Sequence, residues 1–272
     1  MKLIVTADDF AITFAGADGV IHAATYGCLT ETGLFSNSPA AVYGVKRLLS
    51  ERPDFCLGQD INLVTGRPLS DPKLIPSLVT EDGKFRTSGS HRLEDKTNPN
   101  HIPYEEAVIE TEAQIQKFIE LAGRKPEYLN GHSYGCENTK KAFADMAAKY
   151  EIPVLMDVLA KYNLPGGLDT APWNNVSVMD ATGKWDFSPA TQLDRDPLKF
   201  FTEDKLEYLT KALEENGIAH IHTHTGFVDR ELIRLSSFNL IRMMEADFIT
   251  SPELNNWIKK NNVELISVRD LL

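Results

Sequence analysis

A chain of 272 residues is long enough for one large α/β domain with a sizeable buried core. Hydrophobic residues make up 42% and charged residues 25%, a balance that argues against wholesale disorder. The 28 Lys and Arg against 39 Asp and Glu leave a net charge of −11, which excludes nucleic acid and anionic membrane surfaces as natural main partners. No apolar run approaches the roughly 20 residues of a membrane span. The opening MKLIVTADDF has too short an apolar stretch for a leader, and acids interrupt it. Cys28, Cys56 and Cys136 are an odd count at wide spacing and imply no disulfide framework. A soluble cytoplasmic protein is the expectation.

Taken in chain order, strand-like runs alternate with helical ones. Lys2 to Ala7 reads as a strand with Asp8-Asp9 at its end, followed by a helix over Ile12 to Tyr26 that Gly27 stops. Leu29 to Ser36 is a second strand ending at Asn37, and Ala40 to Glu51 is helical. Cys56 to Val64 is a third strand. Residues 67–103, rich in Pro, Ser, Asp and Gly, read as an irregular insertion. Tyr104 to Ala122 is the clearest helix, with Val108, Ile115, Phe118, Ile119 and Ala122 on one face and Gly123 as its stop. Glu127 to Asn130 leads, strand-like, into Gly131-His132. A helix follows over Asn138 to Tyr150, then a strand over Ile152 to Leu159.

A second irregular region spans about 160–200 and carries Trp173 and Trp185. Beyond it come a helix over Thr202 to Asn216, the strand Ile218 to His224, and a helix over Leu232 to Asp247. Ser251 caps Pro252 to Asn261, and Val263 to Val268 is a last strand. About seven β/α alternations with short connections predict a single α/β domain over 1–272, a distorted TIM-like barrel of parallel strands. Asp8, Asp9, Asn37, Asn62, His132 and His224 then fall at or near C-terminal strand ends, the rim where such folds build active sites.

Each of these residues has a structural reading beside the chemical one. Asp8 and Asp9 could line one cleft if the backbone turned there, or could cap the following helix. His132, in a glycine-flanked loop, suits a metal ligand or an acid/base, or a solvated surface group; His132 with Cys136 lacks a CxxC partner for zinc. His220, His222 and His224 alternate and share one face, and three interior imidazoles would need costly satisfaction. Only His224, beside Thr225-Gly226, is expected at the rim. Asp60 and Asn62 face the same way in an apolar strand, so Asp60 needs a salt bridge or a cation. A divalent ion held by Asp9, Asp60 and His132 would resolve the burial of both carboxylates at once. Trp173, Trp185 and Tyr162 could stack on sugar rings or anchor loops.

Together these residues resemble the YdjC-like family of carbohydrate deacetylases, and the resemblance runs in order over nearly the whole chain. Its Ala-Asp-Asp-Phe motif is matched by Ala7-Asp8-Asp9-Phe10, and its threonine-rich second strand ending in Asn by Thr30, Thr32 and Asn37. Gly-x-His-x-Asn-Leu aligns with Gly58-Gln59-Asp60-Ile61-Asn62-Leu63, Gly-His with Gly131-His132, and His-Pro-Gly with His224-Thr225-Gly226. Arg242-Met-Met-Glu245 and Ile249-Thr250-Ser251-Pro252 also look similar.

The resemblance implies a distorted (β/α) barrel that removes an acetyl group from an N-acetylated sugar, such as diacetylchitobiose or its 6-phosphate, with one divalent metal. Asp9, His132 and the residue at 60 would be ligands, Asp8 the general base, and His224 the proton donor or orienting group. Asn37, Asn62 and Trp173 are the expected substrate contacts, and a homodimer is the expected assembly. Where the family has His, this chain has Asp60, a harder oxygen donor that shifts the expected ion from zinc towards Mg2+ or Mn2+, Mg2+ first. The glycine after Asp-Asp-Phe is Ala11 here. A catalytically silent sugar-binding relative is the rival from another class. A glycosidase acting on a phosphorylated disaccharide is the rival within enzymes, and it would need two carboxylates flanking the bond.

Overall fold

The protein is described from a computed structural model, over residues 1–164, 178–179, 185–186 and 203–272. Its centre is β1 (Lys2–Phe10), and α1 (Phe14–Tyr26), β2 (Glu31–Leu34), α2 (Ala41–Glu51) and β3 (Cys56–Ile61) follow in alternation. Next come α3 (Ser88–Glu94), α4 (Tyr104–Ala122), β4 (Leu129–Gly131), α5 (Glu137–Tyr150) and α6 (Leu155–Lys161). After the short pair β5 (Val178–Met179) and β6 (Trp185–Asp186) come α7 (Glu203–Asn216), β7 (Ile218–Thr223), α8 (Arg230–Leu235), α9 (Leu240–Thr250), α10 (Pro252–Lys260) and β8 (Glu264–Leu265). No described helix is long and apolar enough to cross a membrane.

Six strands form one parallel sheet in the order β4-β3-β2-β1-β7, with β8 pairing the start of β1. This is the predicted parallel α/β architecture. Among the described residues the strands make a continuous run, and no pairing joins β4 to β7 to close a barrel. Two expectations are corrected. The strand expected over Ile152 to Leu159 shrinks to one parallel bridge, Leu129 with Val154, and the chain then coils as α6. Leu, Met and Ala favour helix there, and β-branched residues are too few to hold a strand. The helix expected over Leu232 to Asp247 is two helices, because Asp229 and Asn239 each cap a start, accepting from Leu232 N and Leu240 N.

Both faces of β1 are buried, so it reads as a near-continuous apolar run. Leu3, Val5 and Ala7 join the main core with α1, α2 and α9, while Ile4 joins a second core with Cys56, Tyr128 and Ile218. Alternation puts Thr6 and Asp8 on the Ile4 face. That face therefore changes from apolar near the N-terminal strand ends to polar near the C-terminal ones.

Glu31 lies on that face, fully buried, accepting from Thr6 Oγ1 at 2.7 Å and from Val268 N at 2.6 Å. Thr6 Oγ1 also lies 2.9 Å from His220 Nε2. Burial pushes the Glu31 carboxyl up to about 7.

α1 sits against the turn that follows β7. A Cβ on Gly19 would come within 2.2 Å of Phe227 N and 2.6 Å of Gly226 Cα, so only glycine lets the helix approach this closely. Gly19→Ala should destabilise the fold by about 2 kcal/mol in urea unfolding, because the contact is backbone and has no rotamer to relieve it. A near-neutral result would contradict the packing of α1 on that turn.

Glu31 gives a second prediction. Its folded pKa lies above the ordinary 4.5, so the folded chain keeps a proton that the unfolded chain releases. Stability is therefore lost as pH rises from about 4.5 to 7. Between pH 5 and 8 the wild type should lose about 2 kcal/mol relative to Glu31→Gln, which stays neutral throughout. Parallel pH profiles for the two proteins would contradict it.

Candidate active site

Adjacent residues on a regular strand point to opposite faces. Here the β1–β2 register slips between Ala7, opposite Thr32, and Phe10, opposite Leu34, so one extra residue is accommodated at Asp8-Asp9. Asp9 takes φ +64°, the left-handed region, and so does Ala11. This bulge brings both carboxylates to one place at the C-terminal end of the sheet. The helix that follows is capped by Thr13, whose Oγ1 accepts from Gly16 N at 3.1 Å, so the acids are not its cap.

Each carboxylate has a histidine. Asp8 Oδ2 lies 2.8 Å from His222 Nε2 and accepts from Asn130 Nδ2 at 2.9 Å. Asp8 Oδ1 is buried and accepts no hydrogen bond. Asp9 Oδ1 lies 2.7 Å from His132 Nδ1, and Asp9 Oδ2 accepts from Arg242 Nη2 at 2.6 Å. The His132 ring stands edge-on to Phe35 at 4.7 Å, which fixes its plane. Arg242 is nearly buried, and its Nε donates to Phe238 O at 2.8 Å. Three residues on along α9, Glu245 Oε2 accepts from His224 N at 2.7 Å. One helical face thus serves both Asp9 and His224.

Electrostatics separate the three acids. Burial acts to raise the Asp8 carboxyl, but His222 and His224 outweigh it and hold it below the usual range. Burial likewise opposes ionisation of Asp9, but His132 and Arg242 hold it well below that range. Burial, then the charges of Asp8 and Asp9, push Asp60 well above it. Burial also lowers His224 to about 4, so its ring is neutral at neutral pH.

The sequence-predicted residues divide accordingly. Asp8, Asp9, His132 and His224 come together. Asp60 is beside them, but its Oδ2 accepts the Asp9 backbone N–H at 2.7 Å and its other oxygen lies over Gly33. Asn37 and Asn62 meet each other at 3.1 Å, and their side chains hold the loop after β3: Asn62 Oδ1 accepts from Val64 and Thr65, and Asn37 Nδ2 donates to Thr65 O and Arg67 O. Tyr162 hydrogen-bonds Leu271 O, and Cys136 is buried at the start of α5. Trp173 lies outside the described residues.

His222, Asn130, Arg242 and Glu245 complete the site, and none was expected there. Sequence alone makes His222 an interior histidine too costly to satisfy; the structure sets Asp8 Oδ2 2.8 Å from its Nε2. The i,i+3 spacing of Arg242 and Glu245 was the legible signal for the other pair.

The metal implied by the resemblance requires three convergent donors. Among the described residues no three His, Cys, Asp or Glu side chains are arranged to hold an ion. Asp9 Oδ2 already faces the Arg242 guanidinium, Asp9 Oδ1 lies 2.7 Å from His132 Nδ1, and Asp60 is turned to a backbone amide. The residues present do not fit the expected Asp9–Asp60–His132 ion site.

Comparison with known proteins supports the resemblance. A carbohydrate deacetylase of Thermoanaerobacter pseudethanolicus is 31% identical over 268 residues, covering 97% of this chain and 96% of the relative. Carbohydrate deacetylase 2 of Listeria innocua is 29% identical over 281 residues, covering 100% and 99%. Among solved structures, a protein of Enterococcus faecalis V583 provisionally assigned to cellobiose-phosphate cleavage shares the fold, with a TM-score of 0.72 at 21% identity over 99% of this chain and 98% of that one. The family described as YdjC-like protein matches residues 2–260. With that match spanning almost its full length, the chain belongs to the YdjC-like family.

Proposed function

We propose that this protein is a carbohydrate deacetylase that hydrolyses an N-acetyl group on a small amino-sugar oligosaccharide such as diacetylchitobiose. Kinship with proteins of that name supports the reaction class. The observation that carries the chemistry is Asp8, with one oxygen held by His222 and Asn130 and the other buried without a hydrogen bond.

Amide hydrolysis needs a base for the attacking water, a donor for the carbonyl oxygen and a proton for the departing amine. Asp8 Oδ1 takes the water proton as the water oxygen attacks the acetyl carbon, and His222 stabilises the carboxylate for that task. His224 is neutral and its Nδ1 has no hydrogen-bond partner, which suits it to face the carbonyl oxygen as a donor. His132 Nδ1 lies 2.7 Å from Asp9 Oδ1, which orients the ring, and its Nε2 returns a proton to the sugar nitrogen as the C–N bond breaks. Adjacent Asp8 and Asp9, each with its own histidine, do not suit a carboxylate pair flanking a glycosidic bond.

The arginines of the first insertion support an unphosphorylated sugar. Arg67 donates to Asp82 O, Arg86 pairs with Glu94, and Arg92 reaches Ser133 O. The test is acetate release from diacetylchitobiose and from its 6-phosphate. Acetate from the neutral sugar is expected, with kcat falling about 100-fold or more in Asp8→Asn. No acetate from either sugar, or wild-type turnover in Asp8→Asn, would overturn the assignment.

A further inference from the structure

Asp9 is 2% exposed and sits in a backbone region that strains any residue bearing a side chain. Two groups hold it there. Asp60 Oδ2 accepts its N–H at 2.7 Å, and Arg242 Nη2 donates to its Oδ2 at 2.6 Å. The Asp60 contact depends on a neighbour in β2: a Cβ on Gly33 would come within 2.0 Å of Asp60 Oδ1, so the carboxylate occupies space that a missing side chain leaves.

Arg242 is equally fixed, with its side chain 3% exposed and its Nε on Phe238 O. A buried carboxylate needs a cation, and a guanidinium supplies one as a planar, permanently charged donor. A divalent ion bound through Asp9 Oδ2 would have to displace it and leave a buried guanidinium unpaired.

We propose that in this chain the Arg242 guanidinium takes the place at Asp9 that a divalent ion holds in the pattern the chain resembles, and that Asp60 is a positioning residue that holds Asp9 to Arg242 through its backbone amide. Asp60 therefore acts as a hydrogen-bond acceptor, and its charge is not required. The change from histidine to Asp60 and the glycine at position 33 become one device. The activity arm of the test below rests on the deacetylase reading, and the binding arm does not.

The binding arm titrates EDTA-treated, desalted protein with Mn2+ and follows the EPR signal of the free ion. The expected result is no stoichiometric uptake up to about 1 mM, a range in which carboxylate sites of ordinary strength fill. A stoichiometric site that Asp9→Asn or Asp60→Ala removes would overturn the proposal, whatever the enzyme's substrate proves to be.

The activity arm compares two substitutions at position 60. Asp60→Asn keeps an acceptor for the Asp9 N–H and should stay within about threefold of wild-type kcat, whereas Asp60→Ala should lose about 100-fold in kcat with little change in KM. Equal loss in both would show that the charge matters and overturn the positioning role. Should Asp60→Ala fail to fold, a large loss in Asp60→Asn alone would have the same force. Absence of activity in the wild type would count against the deacetylase reading and leave the Mn2+ result to decide this one.

Discussion

The ion pair between Asp9 and Arg242 is the contact on which the site's arrangement depends. It joins the end of the central strand to α9, elements 233 residues apart in sequence. A bulge brings Asp8 and Asp9 into one cleft only if something holds the left-handed turn at Asp9 and neutralises its buried charge. Arg242 supplies the charge, His132 meets the other oxygen, and Asp60 holds the amide. With Asp9 so fixed, Asp8 is placed against His222 and Asn130, and the turn after His224 is tied to the same helix through Glu245.

The interior face of the sheet explains how so many polar groups coexist. His220, His222 and His224 stack at 5.9 and 5.5 Å along β7, and each of the first two meets an oxygen on the Ile4–Thr6–Asp8 face of β1. Parallel pairing sets Ile4 beside His220 and Thr6 beside His222, and each ring reaches the oxygen two residues farther along β1. Glu31 extends the polar column one strand further and ties it to the C-terminal segment through Val268. Polar groups on this face are tolerated because they pair with one another across strands.

The parallel α/β class was legible because the apolar runs and helical periods alternate cleanly from Lys2 to Val268. The strand-end residues Asp8, Asp9, His132 and His224 were legible because a parallel sheet sends its C-terminal ends to one edge. His222 was not, since nothing local says that a carboxylate on the neighbouring strand awaits it. Arg242 lies on a helix far along the chain, and its reach to Asp9 is a tertiary fact. Asp60 was readable as a buried acid in need of a partner, but the partner is a backbone N–H exposed by a strained turn, and no residue pattern announces that. Asn37 and Asn62 carried a real signal of pairing at strand ends, one that the structure spends on a loop.

The most direct measurement is the anomalous difference map of a crystal grown with millimolar Mn2+ and collected at the manganese edge. No peak is expected beside Asp9, with the Arg242 guanidinium and the Asp60 carboxylate both within hydrogen-bonding distance of that residue. A peak coordinated by Asp9, Asp60 and His132, with Arg242 turned away, would contradict it.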